Sequence, residues 1–167
     1  MMALISPNTV RSMLHRLTWF VTDGPTAEFL RAVVLGAFGV AGLAFVLPGS
    51  MSATIALSVA AFLFASAIAI WMLHRDYPHN RLGLCNQITL IRLALVCALT
   101  APLLAGAPPS WPFFALAVLA LSLDGVDGWL ARRQQFVSTF GARFDVEGDS
   151  VLALVLALNA ALGTELG

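Results

Sequence analysis

Apolar residues run along this chain in five stretches of about 20 residues, separated by short segments that hold proline, glycine or polar side chains. A helix that crosses a bilayer needs about 20 mostly apolar residues. Each stretch therefore predicts a membrane-spanning helix. The predicted spans are 29–47, 52–73, 86–107, 112–133 and 140–163. The pattern predicts an all-α fold, a polytopic transmembrane helical bundle with about five spanning helices.

The N-terminal residues form a separate segment in this prediction. Residues 9–21 are predicted to form a helix that lies in the membrane interface, with Leu14, Leu17, Trp19 and Phe20 facing lipid. The expected organisation is a cytoplasmic or interfacial segment at 1–28, two additional transmembrane helices at 29–80 and a core of three helices at 81–167.

Composition supports a membrane protein and excludes a nucleic-acid partner. Hydrophobic residues make up 59% of the chain and charged residues only 11%, too few charges for a wetted surface. Nine arginines balance nine acidic residues and there is no lysine, so the chain lacks the basic excess that binds phosphate backbones. Cys85 and Cys97 are too few for a disulfide framework, and we interpret both as free packing thiols.

The arginines predict the orientation in the membrane, because cytoplasmic loops retain positive charge. All of them fall near one side of a bundle with five spans, whereas the loops at 48–51 and 108–111 carry none. This places the N-terminus and the loop at 134–139 in the cytoplasm and the C-terminus outside. The arginines are Arg11, Arg16, Arg31, Arg75, Arg81, Arg92, Arg132, Arg133 and Arg143.

Acidic residues cluster where the last two predicted spans approach the cytoplasm. They are Asp124, Asp127, Asp145, Glu147 and Asp149. A carboxylate deep in a span costs about 2.5–3.5 kcal/mol, so the cluster needs a compensating partner. Helical periodicity puts the first two aspartates on one stripe and the last two on another. Facing stripes would gather four carboxylates, which suits two Mg²⁺ or Mn²⁺ ions; Glu147 points away from its stripe.

Small residues and one arginine share the faces of these stripes. Gly128, Ala131 and Gly141 would let a substrate approach the helix backbone closely. Arg132 offers a planar fork for phosphate oxygens. Taken one at a time, each of these residues fits simple helix packing or the cytoplasmic edge of the membrane equally well.

Together they match a known signature. Residues 124–149 read D-x2-D-G-x2-A-R-x8-G-x3-D-x3-D, which resembles the signature of the CDP-alcohol phosphotransferase family at every fixed position. A second, shorter resemblance precedes it, since Asn86, Thr89 and Arg92 form the N-x2-T-x2-R stretch that opens the first core helix in many members. The resemblance covers about residues 86–163.

This resemblance implies a membrane transferase of phospholipid biosynthesis that moves a phosphatidyl-type group from CDP-diacylglycerol, or another CDP-linked donor, to a small polar alcohol and releases CMP. In family terms Asp124, Asp127, Asp145 and Asp149 hold the two metal ions, and Asp149 is also the catalytic base. The residues implied to line the CDP site are Gly128, Ala131, Arg132 and Gly141, with polar contacts from Asn86, Thr89 and Arg92. The resemblance further implies a homodimer in the bacterial inner membrane with its active site at the cytoplasmic face.

Family members usually have six core helices, with the signature on the second and third. Only the first three are expected here, so the family core is truncated at the C-terminus. Three alternatives stay open: the chain is a fragment, another subunit completes it, or it is a catalytically incomplete member. A rival from another class is a membrane cation carrier or channel subunit, which would also place carboxylates on facing helices. That rival leaves Arg132 and the paired glycines unexplained.

Overall fold

A computed structural model describes residues 24–49, 51–76, 81–108, 110–134 and 139–165. Five α-helices make up nearly all of these residues, and no strand occurs among them. The all-α prediction is therefore confirmed, while the interfacial helix predicted at 9–21 lies outside the described residues. The helices are α1 (Pro25–Val46), α2 (Ser52–Asp76), α3 (Leu84–Leu104), α4 (Trp111–Gln134) and α5 (Thr139–Glu165).

The helix boundaries lie within a few residues of the predicted spans, and local chemistry explains the differences. Helix α1 begins at Pro25, four residues earlier than its apolar stretch. Proline is favoured at the first position of a helix because its φ is already helical. Its missing N–H costs no hydrogen bond there, since the N–H groups of the first turn have no partner within the helix. Helix α3 ends at Leu104, three residues earlier than predicted. There Gly106 adopts a φ of 62°, and the N–H of Ala107 donates to the carbonyl of Pro102, which closes the helix as a Schellman motif.

Within the part of the chain that the structure describes, three helices are long and apolar enough to cross a membrane. They are Pro25–Val46, Ser52–Arg75 and Leu84–Leu104. In α4 the apolar helical segment found among the described residues is the shorter Trp111–Val126. Large apolar side chains point outward on the first two helices, as a lipid-facing surface requires: Leu35, Phe38 and Phe64 are each at least 70% exposed. Spanning by α4 and α5 stays a prediction.

Helix α3 lies at the centre of the bundle and packs against each of the other four helices. One hydrophobic cluster joins it to α1, α2 and the start of α5, and a second joins it to α4 and the later part of α5. By contrast, the described parts of α4 and α5 have few direct contacts with each other. The contacts that α4 and α5 each make with α3 therefore help to set the position of these two helices relative to each other.

The two ends of the bundle differ in the contacts that close them. At one end the Leu82 N–H, just before α3, donates to the Glu28 carboxylate in the first turn of α1, over 2.9 Å. At the other end the turn after α1 lies against the turn after α3, because a methyl group at Gly49 would come within 2.9 Å of Cβ of both Ala105 and Ala107. The arginine-free loops therefore meet at one end, as the predicted orientation requires.

Candidate active site

Three carboxylates of the sequence signature converge between helices. Asp124 extends from α4, and Asp145 and Asp149 extend from consecutive turns of α5. One carboxylate oxygen from each residue lies within 4.8 Å of the other two. The spacing of four residues puts both α5 aspartates on one helix face, and that face is turned toward Asp124. The structure thus brings together three of the four aspartates predicted to hold metal.

The guanidinium of Arg92, on α3, binds all three carboxylates. Its Nη1 donates to Asp124. Its Nη2 donates to Oδ1 of Asp145 over 2.6 Å and to the backbone carbonyl of the same residue over 3.2 Å, and it lies 3.1 Å from Oδ1 of Asp149. Arg92 is only 1% exposed, whereas the three aspartate side chains are 36–46% exposed. The carboxylates thus have an open side and a side covered by a buried cation.

Helix packing explains why α5 presents these residues to α3. Phe140 and Phe144 stack with their ring centroids 5.6 Å apart, and Phe144 also contacts Phe29 of α1 at 6.3 Å. Gly148, between the two aspartates, faces Arg92 so closely that a methyl group there would lie 3.3 Å from Nη2. The aromatic residues fix the rotation of α5, and the missing side chain at position 148 leaves room for the guanidinium.

The remaining signature residues occupy helical positions near this cluster. Asp127, Gly128, Ala131 and Arg132 lie in α4, but their side chains are outside those that the structure describes. Gly141 lies in the first turn of α5 and is half-buried. The fourth metal ligand and the CDP-binding residues therefore remain predictions.

Two other sets of polar residues have clear positions. On α3, Asn86 and Thr89 are buried together with Arg92, and the Thr89 hydroxyl donates to the Cys85 carbonyl of its own helix over 3.0 Å. Glu147 is exposed on a different face of α5, where it lines a groove of about 580 Å³ beside Trp71 of α2. It lies apart from the three aspartates, in the direction that helical periodicity indicated.

The donor set of the cluster suits a hard divalent cation. Oxygens on opposite sides of Mg²⁺ are about 4.2 Å apart, so carboxylate oxygens within 4.8 Å of one another need only small side-chain movements to share an ion. Their partial exposure gives an ion a route from solvent. Asp124, Asp145 and Asp149 are therefore able to hold a metal, and carboxylate ligands favour Mg²⁺ or Mn²⁺.

Comparison with known proteins assigns the family. The family model described as CDP-alcohol phosphatidyltransferase matches residues 82–166, which are 85 of the 167 residues. The chain belongs to this family. Cholinephosphotransferase 1 of Gallus gallus is 36% identical to it over 91 residues, which cover 49% of this chain and 27% of that relative. No solved structure matches the chain at a significant level.

Two features of the site go beyond the sequence signature. Sequence reasoning placed Arg92 beside the CDP site, whereas its guanidinium binds the carboxylates. Gly148 occupies a variable position of the signature and had no predicted role. The sequence does indicate that Arg92 contacts acidic residues, because an arginine inside an apolar span needs an acidic partner. The acidic residues predicted to lie at a similar depth in the membrane are those of α4 and α5.

Proposed function

We propose that this chain is part of a metal-dependent membrane phosphotransferase. It would transfer a substituted phosphate group from a CDP-linked donor to an alcohol and release CMP. The observation that carries the proposal is the convergence of Asp124, Asp145 and Asp149 on two helices within the segment that matches the family. Chemistry of this kind needs cations beside the phosphate oxygens, and the cluster offers a place for them.

The described side chains suggest different roles for the three aspartates. All four aspartates, Asp124, Asp127, Asp145 and Asp149, would hold divalent ions, and such ions would neutralise developing charge on phosphate oxygens and on the departing CMP. Asp149 is the best candidate base. It is the most exposed of the three, and its 3.1 Å contact with Arg92 is longer than the 2.6 Å contact of Asp145. A base must be less tightly bound than its neighbours to accept the proton of the attacking hydroxyl.

Two classes of donor fit the family. The sequence resemblance favours CDP-diacylglycerol with a small polar alcohol as acceptor. The relative's name, cholinephosphotransferase, instead describes transfer of a phosphocholine group, for which the donor would carry the small alcohol and the acceptor would be the lipid. Both donors present the same CDP group to the signature residues. They differ in which substrate has its hydrocarbon chains in the bilayer.

The setting of the reaction follows from the predicted orientation. Asp145 lies in the second turn of α5, close to the end of the bundle that the arginines assign to the cytoplasm. We propose a bacterial inner-membrane protein whose site takes soluble substrates from the cytoplasm. The family resemblance also leads us to propose a homodimer.

The test is release of CMP by detergent-purified protein. CDP-diacylglycerol with a panel of polar alcohols, and CDP-choline with diacylglycerol, are each supplied with Mg²⁺, with Mn²⁺ or with EDTA. We expect release with one donor class in the presence of metal and none with EDTA. Asp145→Asn should reduce release by about 100-fold or more, as the loss of a key electrostatic group does in other enzymes.

Glu147→Gln is the matched control, because it removes an acidic group from the same helix at an exposed position outside the cluster. It should retain most of the activity. Equal losses in both variants would contradict the assignment of helix faces. Binding of Mn²⁺ that does not respond to CMP or to either donor would favour the cation carrier over the transferase.

A further inference from the structure

We infer that Arg92 is the counter-cation that joins the three carboxylates of the cluster. A divalent metal ion that binds these carboxylates must displace the Arg92 guanidinium from them. This inference rests on the proposed function for the identity of the metal site. Arg92 lies outside the signature at 124–149, and the inference gives it a positioning role. Removal of Arg92 should strengthen metal binding, whereas removal of a metal ligand weakens it.

The first support is the way in which the cluster is assembled. Among the described residues, α4 and α5 have few direct contacts with each other, and yet Asp124 of α4 lies beside Asp145 and Asp149 of α5. Arg92 provides the link, because one of its terminal nitrogens binds the α4 carboxylate and the other binds both α5 carboxylates. The planar fork of arginine suits such a bridge, which the single ammonium of lysine does not reproduce.

The second support is charge. Three carboxylates at this separation repel one another strongly unless a cation lies among them. The guanidinium supplies one positive charge at 1% exposure, and the hydrogen bonds that an ionised pair makes are stronger than neutral ones. It contacts Oδ1 of all three aspartates, so a divalent ion that binds these oxygens competes directly with the guanidinium.

The third support is the shape of α5 opposite the guanidinium. Gly148 is buried, and a methyl group there would lie 3.3 Å from Nη2 and 3.9 Å from Nε, tighter than ordinary contact for the first atom. Gly125, one residue after Asp124, offers the contrast, since a methyl group there meets no atom of the described residues within 4 Å. The space beside Gly148 is fitted to the guanidinium.

The experiment makes two measurements on the detergent-purified protein. Mn²⁺ binding is measured by the loss of the free-ion signal in electron paramagnetic resonance. Thermal unfolding is measured with EDTA and with Mn²⁺. Arg92→Gln removes the charge and the bridge. We expect a lower Tm in EDTA, a larger rise of Tm on adding Mn²⁺, and Mn²⁺ binding tighter by about tenfold, the effect of losing one competing charge-assisted contact. Arg75→Gln is the matched control, because that guanidinium lies over the Trp71 ring at 5.5 Å; it should leave Mn²⁺ affinity unchanged.

Gly148→Ala and Gly125→Ala form a second pair that keeps the inference testable if Arg92→Gln does not fold. Gly148→Ala should tighten Mn²⁺ binding in the same direction by a smaller factor, and Gly125→Ala should not change it. Unchanged or weaker Mn²⁺ binding in Arg92→Gln overturns the inference, because a purely structural role for Arg92 predicts lower Tm without tighter binding. If Arg92→Gln does not fold, unchanged or weaker Mn²⁺ binding in Gly148→Ala overturns the inference.

The outcomes also separate this inference from the proposed function. If the wild-type protein releases CMP in a metal-dependent way while the variants bind Mn²⁺ no more tightly, only the role of Arg92 is wrong. If the wild-type protein binds no Mn²⁺ and releases no CMP, the proposed function fails and the role of Arg92 fails with it.

Discussion

The hydroxyl groups of Ser58 and Thr100 join two candidate membrane spans. They lie 2.9 Å apart between α2 and α3. The Thr100 hydroxyl donates its hydrogen to the Cys97 carbonyl over 2.6 Å, so Ser58 is the donor in the pair. In the hydrocarbon core of a bilayer a polar side chain cannot form hydrogen bonds with water. Hydrogen bonds between side chains of neighbouring helices therefore contribute to helix association.

Ser58→Ala should therefore destabilise the protein modestly, by about 0.6 kcal/mol and at most about 1.7 kcal/mol, the range measured for hydrogen bonds between membrane helices. Thermal unfolding in detergent measures the effect. Ser66→Ala is the matched control on the same helix, because the Ser66 hydroxyl is buried and has no hydrogen-bond partner among the described residues. Its removal should be neutral or stabilising. A larger loss for Ser66→Ala than for Ser58→Ala would contradict this account.

Individual residues also show how far sequence reasoning reaches. The convergence of Asp145 and Asp149 follows from their spacing on one helix. The approach of Asp124 to them does not, because periodicity gives the face of a helix and not the rotation or depth of its neighbour. Arg92 was harder still, since its contacts depend on how α3 packs between α4 and α5. The cost of an unpaired charge in a span would have indicated that a partner exists, but not which residue it is.

Helices α1 and α2 pack closely where a glycine meets an aromatic ring. A methyl group at Gly36 would lie 2.6 Å from Cζ of Phe62, which is fully buried. Glycine at such a contact lets two membrane helices approach each other. Gly39, three residues later on α1, has no atom of the described residues within 4 Å of the position where a methyl group would be.

Gly36→Ala should destabilise the protein by about 1–3 kcal/mol, as overpacking does, since the buried ring has little room to move. Gly39→Ala should be neutral or stabilising by up to about 1 kcal/mol, because alanine is the better helix former. Unfolding of both variants in the same detergent gives the comparison. Similar effects in the two variants would show that α1 and α2 do not meet at Gly36.

At the level of whole helices the sequence was a good guide, because hydropathy and length both follow from the thickness of the bilayer. The ends were less predictable. Helix α1 starts before its apolar stretch because Pro25 and the polar first turn favour helix. Helix α3 stops short of its last apolar residues because Gly106 takes a positive φ. The apolar stretches and their proline- and glycine-containing breaks locate each helix, whereas capping contacts decide the exact residue at which it begins or ends.

The bundle as a whole has two chemically distinct ends. The turns after α1 and α3 meet at an end where the described residues include no arginine. The opposite end holds the Glu28 contact with Leu82 and lies nearer to the carboxylate cluster. Positive charge on one side of a membrane protein favours the cytoplasm for that side. The fold and the charge distribution are both compatible with the predicted orientation, in which the proposed phosphotransferase site would face the cytoplasm.

Cysteine labelling across α2 tests that orientation. Met51, just before α2, and His74, in its last turn, are both exposed, while the native Cys85 and Cys97 are buried and give little background. In bacterial cells that express the protein, a membrane-impermeant maleimide should label Met51→Cys from outside and should label His74→Cys only after the cells are permeabilised. The reverse pattern would place the carboxylate cluster at the outer face, away from the supply of CDP-linked donors. Equal labelling of both positions in intact cells would mean that α2 does not cross the membrane.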